Sequence, residues 1–217
     1  MVFFIAISTE EMKVTIQQSA TSRGVKYLFH FTRVENLPLI LQHGLLPLDR
    51  LNRSGVPSAR NDPYRIDGTS GICLTIGFPN YKMFYPMRIA NPDAKWAVLV
   101  IRADVLWQMD CAFCRENAAK AEVTAIPLHL RKGLVAFDSM FDDYPGKPRS
   151  TLNIPDRYPT HPQAEVLVFD PIPPQYIAAI IFNEVALKRQ FDALNIIPKV
   201  EHMPKYFAGR TDFEHWR

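Results

Sequence analysis

Short apolar runs separated by prolines set the pattern of this chain. Five runs read as strands: Lys26–Phe31, Ile72–Ile76, Trp96–Arg102, Glu165–Phe169 and Ile177–Phe182. Each is rich in β-branched or aromatic residues and too short for a typical helix. Helical spacing is rarer. Leu37, Ile40 and Leu41 share one helical face ahead of Gly44, a fitting residue just past a helix end. Thr32 and Glu35 have capping-box spacing, yet Pro38 would then lie beyond the first turn. The pattern therefore predicts a tight turn after Thr32 and a helix starting near Asn36. Asp104–Ala121 and Glu184–Leu194 are the other predicted helices, the former anchored by Val105, Leu106 and Met109.

Strands with peripheral helices make the expected class α+β. Proline supports this, because 18 prolines against 9 glycines fall between the apolar runs and favour ordered loops over a bundle. Two segments resist assignment: Leu48–Gly71, polar and turn-rich, and Tyr144–Gln163, with prolines at 145, 148, 155, 159 and 162. Loops longer than roughly 12–15 residues are uncommon in compact domains unless functional or disordered. The spaced Tyr144 and Tyr158 favour an ordered, functional loop.

Composition narrows the setting. A length of 217 residues suits one domain spanning 1–217, and 47% apolar residues can build a core. Net charge is only +3, so attraction to an acidic partner must come from local clustering. The apolar Val2–Ile7 is too short to span a membrane, lacks a basic flank and is followed by Glu10-Glu11. Three cysteines argue against a disulfide framework. The expectation is a cytoplasmic protein with no membrane association.

Candidate chemistry concentrates at the ends of two strands. Glu165 stands between the proline-rich loop and the apolar run Val166–Phe169, where a carboxylate is costly without a partner or a task. It either stabilises developing positive charge on a substrate or pairs with a surface lysine. His30 points opposite to Phe29 and Phe31 on a strand, and with Thr32 it could present ring nitrogens and a hydroxyl to a ligand. A buried histidine satisfied by backbone is the plain alternative. Arg50, Arg53, Arg60 and Arg65 could grip a pyrophosphate or simply be solvated. Asp67 could orient Arg65. Lys147, Arg149 and Arg157 interleave with Tyr144 and Tyr158 next to Gln163 and Glu165, equipment suited to single-stranded nucleic acid. Cys111-Ala112-Phe113-Cys114 has zinc spacing, but no second pair exists, so the two are read as packing residues on a helix and no metal is expected. Nor is there a P-loop or a Rossmann glycine fingerprint.

Tyr27-Leu28-Phe29-His30-Phe31-Thr32, then Glu35-Asn36-Leu37, Ile40-Leu41 and Gly44-Leu45, resembles the opening of the DarT family of DNA ADP-ribosyltransferase toxins. Gln163–Val168 looks like that family's catalytic-glutamate strand, and Pro173-Pro174-Gln175-Tyr176-Ile177 resembles the segment that comes after that strand. The likeness runs, with gaps, over residues 25–185. It implies an ADP-ribosyltransferase (PARP-like) fold: two small antiparallel sheets with an NAD cleft between them. It further implies that His30, Phe31, Thr32, Asn36 and an arginine, Arg65 rather than Arg53, hold NAD as substrate. Glu165 and Arg65 would be catalytic, and the loop with Lys147, Arg149, Arg157, Tyr158 and Gln163 would receive single-stranded DNA. A macrodomain antitoxin of the DarG kind is the implied partner.

Thymidine-modifying members carry adjacent arginines and a histidine-aspartate-tyrosine motif in the region where this chain reads Arg65-Ile66-Asp67-Gly68 and then Phe78–Tyr85. The pattern is similar to a divergent branch associated with guanosine, so guanine is the favoured target. Transfer to protein or RNA, NAD hydrolysis, and non-catalytic binding of a single strand are the alternatives.

Overall fold

Among the described residues seven strands form one sheet, and the pairing between two of its inner strands opens the cleft. The computed structural model describes residues 9–55, 59 and 67–217. The strands are β1 (Tyr27–Arg33), β2 (Ile72–Ile76), β3 (Trp96–Arg102), β4 (Cys111–Cys114), β5 (Glu165–Val168), β6 (Ile177–Phe182) and β7 (Lys199–His202), in the order β4-β5-β2-β1-β3-β6-β7. All neighbours are antiparallel except β6 and β7. β1 pairs with β3 along its whole length, from Tyr27↔Arg102 to Arg33↔Trp96. Against β2 it pairs only at Leu28↔Ile76 and Phe29↔Thr75. Beyond that point the two strands part.

The sheet thus consists of two halves, β4-β5-β2 and β1-β3-β6-β7, joined by a short seam. The expected α+β class is met, and the expected two sheets exist as these fused halves rather than as separate sheets.

Helices α1 (Thr9–Ser22), α2 (Leu37–His43), α3 (Leu48–Ser54), α4 (Tyr81–Ala90), α5 (Val105–Gln108), α6 (Ala121–Thr124), α7 (Gly133–Ser139), α8 (Arg149–Leu152) and α9 (Val185–Asp192) cover both faces. Leu28, Leu99 and Ile101 pack under Ala20 of α1, Leu37 and Ile40 of α2, Phe137 of α7 and Phe191 of α9. Phe29, Val98 and Val100 point the other way, toward Phe84 of α4 and Phe207. This alternation along β1 and β3 comes from the two-residue side-chain period of a strand. Among the described residues no helix is long and apolar enough to cross a membrane.

Local departures from the sequence pattern have physical causes. The helix expected over Asp104–Ala121 is one turn, α5, and then β4. Cys111–Cys114 is buried on both faces and pairs residue by residue with β5, so its apolar run fits an inner strand as well as a helix. Its cysteines face opposite sides, Cys111 in the main core and Cys114 with Leu167 and Ala118. The capping box does not form. β1 runs on to Arg33 and a single 3₁₀ turn, Val34–Asn36, leads into α2 with no side-chain cap. Gly44 ends α2 at φ 77°, and a Cβ there would lie 2.0 Å from the Ile172 carbonyl oxygen, so only glycine fits.

Candidate active site

The place where β1 and β2 separate holds a cavity of about 250 Å³. His30 stands at the parting. Its Nδ1 lies 2.9 Å from the Cys73 carbonyl oxygen of β2, so the ring bonds a carbonyl that the interrupted ladder leaves to it. A carbonyl only accepts, so Nδ1 carries the proton. Burial lowers the pKa of this histidine, partly offset by the Cys73 bond, which keeps the ring neutral near pH 7 and leaves Nε2 as an acceptor. Thr32, Phe31 and Asn36 line the same cavity. Asn36 donates to Thr32 Oγ1 at 3.0 Å and brackets Ala59, donating to its oxygen and accepting from its nitrogen, each at 2.9 Å.

Glu165 enters from the other side of the split. The β2–β5 register, Leu74↔Val166, continued by one residue sets Glu165 beside Thr75, which pairs with Phe29. The three occupy one face of the sheet, opposite to His30. Glu165 is 5% exposed, and both its oxygens are held. Oε1 accepts from Asn80 Nδ2 at 3.3 Å and Oε2 from the Ala118 backbone N–H at 2.8 Å. Asn80 is the N-cap of α4, its Oδ1 accepting from Met83 N at 3.1 Å. Ala118 belongs to a turn in which Asn117 Oδ1 accepts from Ala119 N. The cavity thus runs between an imidazole acceptor and a fixed carboxylate on opposite faces.

The other expected residues divide. Arg65 and Arg60 lie outside the described residues; Asp67, two positions after Arg65, lines the cavity and accepts from Thr69 Oγ1 at 2.6 Å. Arg53 does not line the cavity. It is exposed on α3, with its guanidinium on Asp49. Arg149 spends its donors inside the loop, on the oxygens of Pro155, Tyr158 and Thr160. Lys147 donates to the His215 carbonyl and lies over the Trp216 ring. Gln163 is half-buried, and its backbone N–H donates to His161 Nδ1. Arg157 is exposed, stacked on Tyr158. Cys114 sits behind Glu165, its thiol pushed up to about 11 by burial, so it is no nucleophile at neutral pH.

The sequence pattern does not single out Asn80 or Ala118. An asparagine ahead of Tyr81–Ala90 is a cap signal, but Pro86 inside that segment argues against a helix. A backbone N–H has no sequence signature.

A family model described as single-stranded-DNA thymidine ADP-ribosyltransferase, DarT, matches residues 29–208, most of the chain. The chain belongs to the DarT family. Solved DarT structures share the fold. The Thermosipho africanus DarTG in complex with ADP-ribose superposes with a TM-score of 0.58 at 17% identity, covering 84% of this chain and 51% of that one. This chain therefore spans about half the length of the Thermosipho protein. The Thermus sp. 2.9 DarT in complex with carba-NAD+ gives 0.55 at 16%, covering 84% and 97%; the same protein in complex with ADP-ribosylated ssDNA gives 0.54 at 16%, covering 84% and 96%. No curated protein matches significantly.

Proposed function

We propose that this chain transfers ADP-ribose from NAD to a base of single-stranded DNA, guanine being favoured over thymine. The observation that carries the reading is Glu165, buried in the seam cavity with each oxygen held by a fixed donor and with the neutral His30 across the split. Membership of the DarT family supports the reaction class. The Thermus relative has been solved with NAD+ and with ADP-ribosylated ssDNA, which supports both substrates. The guanine preference rests on the segment around Arg65–Gly68 and Phe78–Tyr85, which departs from the thymidine pattern.

His30 and Thr32, with Asn36 bound to Thr32 and to the Ala59 backbone, hold the dinucleotide on one side of the seam. Arg65 is proposed for the phosphates and for assisting proton removal. The nicotinamide leaves with the electron pair of its bond to the ribose. Glu165 accepts from a ribose hydroxyl and stabilises the oxocarbenium-like charge that develops. A nitrogen of the base attacks the anomeric carbon, and its proton passes to a nearby acceptor. Exposure of the base in a single strand removes the cost of unstacking it from a duplex. A macrodomain antitoxin of the DarG kind is the proposed partner, in keeping with the DarTG relative, and the cytoplasm is the proposed setting.

Labelled NAD incubated with single strands of restricted composition tests this. Label should appear on guanine-containing strands and vanish with Glu165→Ala. Absence of label on every strand, or undiminished labelling by Glu165→Ala, overturns the reading. Label on thymine-only strands overturns the guanine preference alone. NAD consumed without transfer would identify a glycohydrolase.

A further inference from the structure

On the face of the sheet that carries Glu165 lies a second cavity of about 520 Å³, outside the site described above. Phe29 lines both cavities, so the two meet at the seam. Aromatic rings dominate the second one. Phe78 stands between Tyr206, at a ring-centre distance of 5.5 Å, and Tyr158, at 6.3 Å, and all three are part-exposed. Exposed Lys26, Arg157 and Lys205 surround them. Among the described residues none of these cations pairs with a carboxylate. Arg210, also in the lining, is different. It is buried, and its donors are taken by Asp212 and by the carbonyls of Pro159 and Thr160, so it shapes the wall.

Two chain segments tie this cleft to the reacting centre. Phe78 is two residues before Asn80, which holds Glu165 Oε1. Arg157 and Tyr158 belong to the loop that leads into Glu165. Tyr158 is seated by Gly77, where a Cβ would come within 2.4 Å of its ring. Arg157 lies over the Tyr158 ring at 5.2 Å and Lys205 over the Tyr206 ring at 5.1 Å. Aromatic surfaces beside exposed cations that no carboxylate neutralises suit a single nucleic-acid strand, since every base has a π-face and every linkage a negative charge. Neither a neutral small molecule nor an acidic peptide explains both halves of that lining.

We propose that this cleft is a subsite for a nucleotide flanking the modified base. The flanking base stacks among the part-exposed rings of Phe78, Tyr158 and Tyr206, taking the place of Arg157 over Tyr158 and Lys205 over Tyr206, and these two cations turn with Lys26 to its phosphates. The proposal rests on the DNA-directed reading above, and it moves the electrostatic grip from Arg149, bound within its own loop, and Lys147, held over Trp216 and on the His215 carbonyl, to these three cations.

The test is the affinity of the whole chain for a fluorescent single strand of about 12 nucleotides, within the range of known single-strand site sizes. It is measured without NAD at several salt concentrations. The double variant Arg157→Ala with Lys205→Ala should weaken binding and flatten the log–log salt slope by roughly 1.4, two phosphate contacts' worth. Tyr206→Leu should weaken it roughly fivefold to hundredfold through lost stacking. Tyr206 also packs on Phe29, so that variant counts only if its unfolding temperature is kept; the charge variants carry the test otherwise. Unchanged affinity and slope in the folded double variant overturn the subsite, as does a native chain that binds no single strand. Loss of binding in the variants of a chain that transfers nothing to DNA would keep the subsite and sink the proposed reaction. Unchanged binding alongside intact transfer would do the reverse.

Discussion

Asn80 joins Glu165 to the start of α4: its amide nitrogen donates to Glu165 Oε1 at 3.3 Å while its oxygen accepts from Met83 N at 3.1 Å. The cap decides which way the amide faces, because reversing it would set a donor against a donor and an oxygen against a carboxylate. The helix start thereby orients the carboxylate. Asn80→Ala should cost about 1 kcal/mol of stability for the lost cap. It should slow transfer up to about a hundredfold, because small displacements of a reacting group have large effects. Asn80→Asp keeps the cap acceptor but sets a second buried carboxylate against Glu165, so its rate should fall at least as far and its unfolding temperature at pH 7 should drop further than that of Asn80→Ala, the deficit shrinking on acidification as the pair takes up a proton. Equal rates for the native chain and both variants would remove Asn80 from the site.

Strands are far more legible than helices in this sequence, for a physical reason. β2, β3 and β6 coincide with the apolar runs 72–76, 96–102 and 177–182, because inner strands need β-branched and aromatic residues on both faces. α4 is hidden by Pro86, and β4 by an apolar run too short to show a period. Glu165 and His30 stand out because a charged or titratable residue inside an apolar strand is anomalous. Their partners do not. Asn80, the Ala118 N–H and the Cys73 carbonyl act through geometry that arises only when β1 and β2 part. The cations of the Tyr144–Gln163 loop mislead for a related reason: spacing cannot tell a guanidinium that buttresses its own loop, as Arg149 does, from one that faces outward, as Arg157 does.

Gly77 sets the position of Tyr158 in the Tyr144–Gln163 loop. It has φ 76° and an added Cβ would meet Tyr158 at 2.4 Å. Gly77→Ala should destabilise by roughly 1–3 kcal/mol through the strained backbone alone. It should also push Tyr158 away from Phe78. The paired measurement is thermal unfolding with single-strand affinity: both should fall, whereas Tyr158→Ala in the native background should lower affinity with a smaller loss of stability. A Gly77→Ala chain as stable as the native one would contradict this.

The Asn36 side chain holds Ala59 at the cavity by two bonds to its backbone and holds Thr32 by a third. Asn36→Ala leaves the Thr32 hydroxyl and the Ala59 backbone without these partners, at roughly 1–3 kcal/mol for each buried polar group not rescued by water. Because the residues affected lie on the His30 side, the expected kinetic effect is a KM for NAD raised about tenfold, equivalent to roughly 1.4 kcal/mol, with a smaller change in kcat. Asn36→Asp keeps the acceptor for Ala59 N and loses both donors, so it should fall between the two. A KM for NAD left unchanged by Asn36→Ala would separate this clamp from substrate binding.

His161 ties acid sensitivity to the Tyr144–Gln163 loop. It is packed between the rings of Tyr144 and Trp216, accepts from Gln163 N at its Nδ1, and turns Nε2 toward Glu116 Oε1 at 3.6 Å. Burial pushes its pKa down to about 4, against the attraction of Glu116 and with repulsion from Lys120, Lys82 and Arg210. Burial alone would raise Glu116, but bonds from Lys120 and Tyr144 hold it below the ordinary value. The unfolded chain takes up a proton at His161 near pH 6.5 and the folded chain only near 4. Between those values the unfolded state binds the extra proton, so stability falls as pH falls through that window and levels off below it. The contribution is roughly 3 kcal/mol by the ordinary linkage relation. Replacing the ring by His161→Phe removes this titration and keeps the packing, at about 1–3 kcal/mol near neutral pH because the Gln163 N–H loses its acceptor. Denaturant unfolding at pH 7 and pH 4.5 should therefore give curves that converge on acidification, the native chain losing more than the variant. Parallel losses would mean that His161 does not set the acid response.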